Sequence, residues 1–177
     1  MRPMSLWESE ESTGDVCLQA LFDGDLAIQG ENKHRLEDIA FMLCRGGWPS
    51  ALGRSTRAAL RVASDYYDAV IKTDFVRVDN TLRSQNRSRM LLRSLARLQG
   101  TQTSIGVIRQ DMLSNDDNTL AENTVASYIE ALRKIFIVED MPAWSTNLRS
   151  KTAIRTSNTR YFVDPSIAVA ALGITPN

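Results

Sequence analysis

Cysteine and histidine are scarce in this chain of 177 residues, which has two of the first, Cys17 and Cys44, and one of the second, His34. The cysteines form no CxxC pair, so neither a zinc site nor a disulfide framework is expected. A single histidine excludes histidine-rich metal sites, and a Ser-His-Asp mechanism would have to draw it from a charged helix start. No GxxxxGK[ST] segment occurs, hence there is no backbone cradle with a lysine for nucleotide phosphates. Asp65, Asp68 and Asp74 fall on one long predicted helix, where they read as a solvated face rather than as paired catalytic carboxylates. Residues 135–140 (IFIVED) resemble an apolar strand ending in magnesium-binding acids only faintly; without a phosphate loop, a strand entering a hairpin accounts for them better. No secretory signal opens the chain and no apolar run approaches membrane-spanning length. A soluble, cytoplasmic protein with no cofactor of its own and no membrane partner is expected.

What remains is ordinary globular material: 43% hydrophobic and 24% charged residues, with 21 bases balanced by 21 acids. That balance argues against disorder and, taken whole, gives no pull toward a polyanion. The distribution is uneven. Residues 1–80 hold 9 basic and 13 acidic residues, and residues 81–160 hold 12 basic and 7 acidic. Such polarity suits either a negatively charged partner or mutual attraction of the two halves.

Periodicity organises the chain around residues 103–164. Val125, Tyr128, Ile129, Leu132 and Phe136 recur at helical spacing within residues 120–136 and predict one apolar stripe. Residues 104–113 repeat the pattern in short form through Ile105, Ile108 and Met112. SNDDNT between them has turn chemistry. Beyond Phe136 the pattern changes to Ile137-Val138, a polar basic stretch and the apolar run 161–163, which predicts a hairpin with a long tip. Upstream, helices are predicted over 32–45, where Leu36, Ile39, Ala40 and Leu43 form an apolar stripe, about 55–71 with Leu60, Ala63, Tyr67, Val70 and Ile71 inward and a continuation to Val78, and 86–98, where Leu91, Leu95 and Leu98 line one side and Gly100 ends the run. A last short helix follows Asp164-Pro165-Ser166. The expected fold is mainly α with a small β component: a helical bundle followed by a winged helix-turn-helix. Residues 1–30 read as a tail segment whose partner lies elsewhere, 31–80 as a helical subdomain and 81–177 as a winged-helix-like domain.

The concentrated non-core feature is basic. No acid occurs from Met141 to Val163, whereas Arg149, Lys151, Arg155 and Arg160 do. Arg133 and Lys134 end the preceding helix, and Arg89, Arg93 and Arg97 form a row four residues apart. A hairpin tip of that composition suits phosphates, and Asn123 in the first turn of the presumed recognition helix has the groups to read adenine. Glu122 beside it would repel phosphate. The competing account has these arginines docking on acidic protein surface.

The segments MRPMSLWESEESTGDVCLQALFDG, LCRGGWPSAL, DYYDAVIKTDFVRVDN, LLRSLAR, ENTVASYIEALRKIFIVEDMPAW and LRSKTAIRTSNTRYFVDPSIAVAALG, in that order, resemble the region that follows the nucleotide-binding core in a large family of prokaryotic AAA-type ATPases. The resemblance covers nearly the whole chain, with Ala121 where the family pattern commonly has serine. In that family a core that binds ATP and magnesium precedes this region and a nuclease-like segment often follows it; both are absent from these 177 residues, and the resemblance implies that they are a non-catalytic regulatory or interaction region. Its implied partners are that core, a further protein or, as the alternative, DNA bound weakly and electrostatically by the winged helix.

Overall fold

Apolar residues three and four apart recur through most of the chain, and the computed structural model turns them into helices. It describes residues 2–25, 27, 29–74, 78, 83–113, 120–142 and 158–176. In chain order the elements are α1 (Leu18–Phe22), α2 (Leu36–Arg45), a 3₁₀ turn (Pro49–Ala51), α3 (Thr56–Ala69), a π-helical turn (Val70–Asp74), α4 (Gln85–Arg97), α5 (Ile105–Leu113), α6 (Glu122–Lys134), β1 (Val138–Met141), β2 (Thr159–Phe162) and α7 (Pro165–Leu172). The strands pair antiparallel, Val138 opposite Phe162 and Asp140 opposite Arg160. The chain is therefore mainly helical with a small two-stranded sheet. Residues 114–119, the expected turn between α5 and α6, and 143–157, the expected hairpin tip, lie outside the described residues.

The last helix is the hub. Ile167-Ala-Val-Ala-Ala-Leu172 is apolar all round, which a helix tolerates only when other elements cover it. Accordingly α7 packs against α2, α3, α4 and β2, and Ser166, Ile167, Ala168 and Ala171 are buried. Asp164 caps its start, accepting the Ser166 backbone N–H at 2.8 Å; Pro165 occupies the first helical position, and Gly173 ends it in the left-handed conformation. On α4, Ser88, Leu91, Leu92 and Leu95 form a stripe at i, i+3, i+4 and i+7 that meets α7 and α5. Tyr128 of α6 reaches back to α4, its hydroxyl accepting from the Ser84 N–H at 2.9 Å. The predicted division near residue 80 falls in a span outside the described residues, and one core crosses it. Val70 and Ile71 belong to the same buried cluster as Leu91, Ile108, Leu132 and Ile167.

Two predicted faces differ in the structure. Phe136 is not part of the α6 stripe: the helix ends at Lys134 and Phe136 adopts φ 57° with three quarters of its surface exposed. The Phe136 N–H donates to the Arg133 carbonyl and the Ile137 N–H to that of Leu132, the paired bonds of a Schellman turn. That turn reverses the chain so that Ile137 and Val138 enter the core in place of Phe136. The second difference is on α2. Leu36, Ile39 and Leu43 of the predicted stripe are 78%, 37% and 47% exposed, while Met42 and Arg45 are buried. The helix is amphipathic as predicted, but its apolar stripe looks outward.

Candidate functional site

Of the cations predicted to meet phosphate, Arg149, Lys151 and Arg155 lie outside the described residues. The structure brings Arg160 and Arg133 together on a carboxylate. Arg160 Nε donates to Asp140 Oδ1 at 2.7 Å and Nη2 to Oδ2 at 3.2 Å. Arg133 Nη1 lies 3.8 Å from the same Oδ2 and 3.3 Å from Glu130. The Asp140 side chain is only 6% exposed, so this cluster is neutralised within the fold. Lys134 is exposed in the last turn of α6, and Asn123 is exposed in its first turn beside Glu122. Eleven residues separate those two, roughly 17 Å along a helix. Arg89, Arg93 and Arg97 do form an exposed row on α4, and Arg97 pairs with Asp111 of α5 at 3.0 Å. Burial pushes the Tyr67 hydroxyl up in pKa, and the nearby Arg89 and Arg93 charges oppose that rise.

A second surface, missed from sequence, is built where α2 ends. Gly46 follows the helix at φ 74°, and a side chain there would collide with Ser166, Asp164 and Trp48. That close approach lets the Gly47 N–H donate to Asp164 Oδ2 at 2.8 Å and Trp48 Nε1 to Ser166 Oγ at 2.9 Å. The end of α2 is thereby fastened to the start of α7. On the outer side, the Met4 N–H donates to the Gly47 carbonyl at 2.8 Å, bringing the N-terminal segment to the helix end.

Glu11 completes that contact. Arg45 is buried at the last turn of α2 and donates two hydrogen bonds to the Glu11 carboxylate, one of 2.7 Å. The guanidinium holds the Glu11 carboxyl below its ordinary range against the upward push of burial, assisted by Ser9 and the His34 side chain. His34 Nε2 lies 2.6 Å from the Glu11 carbonyl. A carbonyl only accepts, so Nε2 carries the proton. Burial raises the Cys44 thiol, which makes it a poor nucleophile.

Between residues 4–13, residues 31–34, α2 and the start of α7 lies a cavity of about 800 Å³. Met4, Leu6, Ile39, Met42 and Leu43 supply its apolar walls, and Glu31 stands at its edge. Ile39 and Leu43 belong both to this wall and to the outward stripe of α2. Stripe and cavity are therefore one continuous apolar surface. The sequence signal was the pair Gly46-Gly47 directly after an amphipathic helix; periodicity alone does not say which way an apolar stripe faces.

Among the described residues, no three His, Cys, Asp or Glu side chains are grouped so as to hold a metal ion. No helix of the described residues is long and apolar enough to cross a membrane. No curated protein and no solved structure matches the chain. A family model described as a domain of unknown function, DUF8612, matches residues 36–177, beginning at the first residue of α2 and taking in every later element. The chain thus belongs to the DUF8612 family.

Proposed function

We propose that this protein is a non-catalytic interaction module, and that the outward face of α2 with the cavity beside it is where a partner domain docks. The observation that carries this is the exposure of Leu36, Ile39 and Leu43 at helical spacing on a well-formed helix. An apolar stripe is normally what a helix buries, and a contiguous exposed one marks a binding surface. The resemblance to AAA-type ATPases supplies the partner: a nucleotide-binding core, which binds ATP and magnesium, whose state this module senses or transmits. Chemistry at that core is the core's own. Co-elution with a separately expressed core of an ATPase of the resembled family tests the reading. The wild-type chain should co-elute, and Ile39→Glu/Leu43→Glu should not. Equal co-elution of both, or of neither, overturns it.

The alternative is DNA binding, with α5, α6 and the hairpin read as a winged helix-turn-helix. Its order of elements favours it, and the exposed Arg89–Arg93 row adds charge. Against it, Arg160 and Arg133 are held by Asp140, which leaves Arg149, Lys151 and Arg155 as the hairpin's cations. Three phosphate contacts give a slope of about −2.7 in log affinity against log salt on duplex DNA. Micromolar binding with that slope, abolished by changing those three residues to Glu, would favour DNA. No binding at physiological salt is the outcome expected here.

A further inference from the structure

The surface around α2 has a charge as well as an apolar stripe. The first 40 residues carry nine acids and three bases. Glu10 and Glu31 line the cavity with Lys33 as the one lysine, and Glu37 and Asp38 adjoin the stripe in the first turn of α2, outnumbering the exposed Arg35 at its N-cap. The buried cation, Arg45, is already matched by Glu11 and offers a partner no net positive charge. Leu36 to Leu43 spans seven residues, about 10 Å, or two turns of a facing helix. An apolar strip of that length beside a cavity, with acids at its edge, is the complement of a helix that is apolar on one face and basic on the other.

We infer that the α2 face and its cavity receive a cationic amphipathic helix, with two or three large apolar side chains entering between Leu6 and Leu43. This rests on the reading of α2 as a docking surface and adds the chemistry of what docks. The acidic surround repels an anionic segment, a nucleic acid or an anionic bilayer.

The test uses the full chain and two fluorescein-labelled 18-residue peptides of identical leucine spacing, one with lysine and one with glutamate on the polar face. Anisotropy should show the lysine peptide binding at least tenfold tighter, and more weakly as salt is raised. Ile39→Glu/Leu43→Glu should lose at least tenfold with an unchanged melt, since both side chains are partly exposed. Glu31→Lys/Glu37→Lys should erase most of the preference between peptides. Equal binding of the two peptides overturns the inference, as does undiminished binding by the Ile39→Glu/Leu43→Glu chain, which would reduce the contact to bulk charge attraction. If the ATPase core co-elutes through α2 while neither peptide binds, the docking face stands and its cationic-helix occupant falls.

Discussion

Arg160 on β2 stands opposite Asp140 on β1 and holds both of its carboxylate oxygens, with Arg133 at the end of α6 approaching the same group. The hairpin and the helix before it are thereby joined at one charge. Asp140→Asn removes that charge and leaves two arginines over a nearly buried amide. Losing charge-assisted hydrogen bonds of this kind costs about 2–3 kcal/mol. The thermal midpoint is expected to fall by roughly 4–10 °C for a chain of this size. Any affinity for duplex DNA should rise, because the freed arginines become available to phosphate. An unchanged melt would show that the three side chains do not act together.

Phe136 occupies the position after α6 that glycine usually takes, with φ 57° and little burial to compensate. Left-handed backbone costs an L-residue about 1–2 kcal/mol. Phe136→Gly should therefore raise stability by about 1 kcal/mol once the freer unfolded chain is allowed for. A calorimetric midpoint higher by roughly 2–4 °C is the expected reading. A lower midpoint would mean that the Phe136 ring shields Ile137 and the strand behind it.

At the other end of α6, Ala121 has the extended backbone of a cap and no side-chain oxygen to act as one. The Thr124 and Val125 N–H groups both turn to the Ala121 carbonyl. Ala121→Ser offers a better acceptor and should add about 1 kcal/mol. Denaturant midpoint with an unchanged slope is the clean measurement, because it separates stability from a change in compactness.

The helix over residues 122–134 was readable because Val125, Tyr128, Ile129 and Leu132 repeat at helical spacing after a stretch of turn chemistry. The α4 face was readable for the same reason: Leu91 and Leu95 repeat at one spacing, and Gly100 punctuates them. Phe136 was misplaced because it continues the spacing of Leu132, and only the reversed turn takes it off the helix. On α2 the stripe itself was found and its direction was not. A helix that serves a partner and one that serves its own core have the same pattern; the difference lies in which face Arg45 and Met42 occupy. The cavity depends on residues 4–13 returning to Gly47, a contact between segments more than thirty residues apart that no local pattern encodes.

Glu11 gives a pH test of that return. Its carboxyl is held below the ordinary value of 4.5 by Arg45, so it binds protons more readily unfolded than folded. The stability it contributes is complete above the unfolded pKa and is lost as pH falls through the folded one. Glu11→Gln should cost about 1–3 kcal/mol at pH 7, the range for a hydrogen-bonded charged group. Its melting curve should converge with that of the wild type as pH drops below about 4. A chain starting at Glu31 should still melt cooperatively, because the buried cluster from Val70 to Ala171 contains none of the removed residues. Aggregation or a broad melt would place residues 1–30 in the core.

The position of α7 also shapes how the polypeptide emerges from the ribosome. Its eight residues fill the space between α2, α3 and α4, and the Asp164 cap reaches Gly47 across 117 positions of sequence. Until residue 172 has cleared the exit tunnel, α2, α3 and α4 lack the helix that covers their inner faces. Closure therefore waits for residues 165–172, with the transient exposure of apolar surface that such an order entails. A stop codon anywhere before residue 165 would leave those faces uncovered permanently.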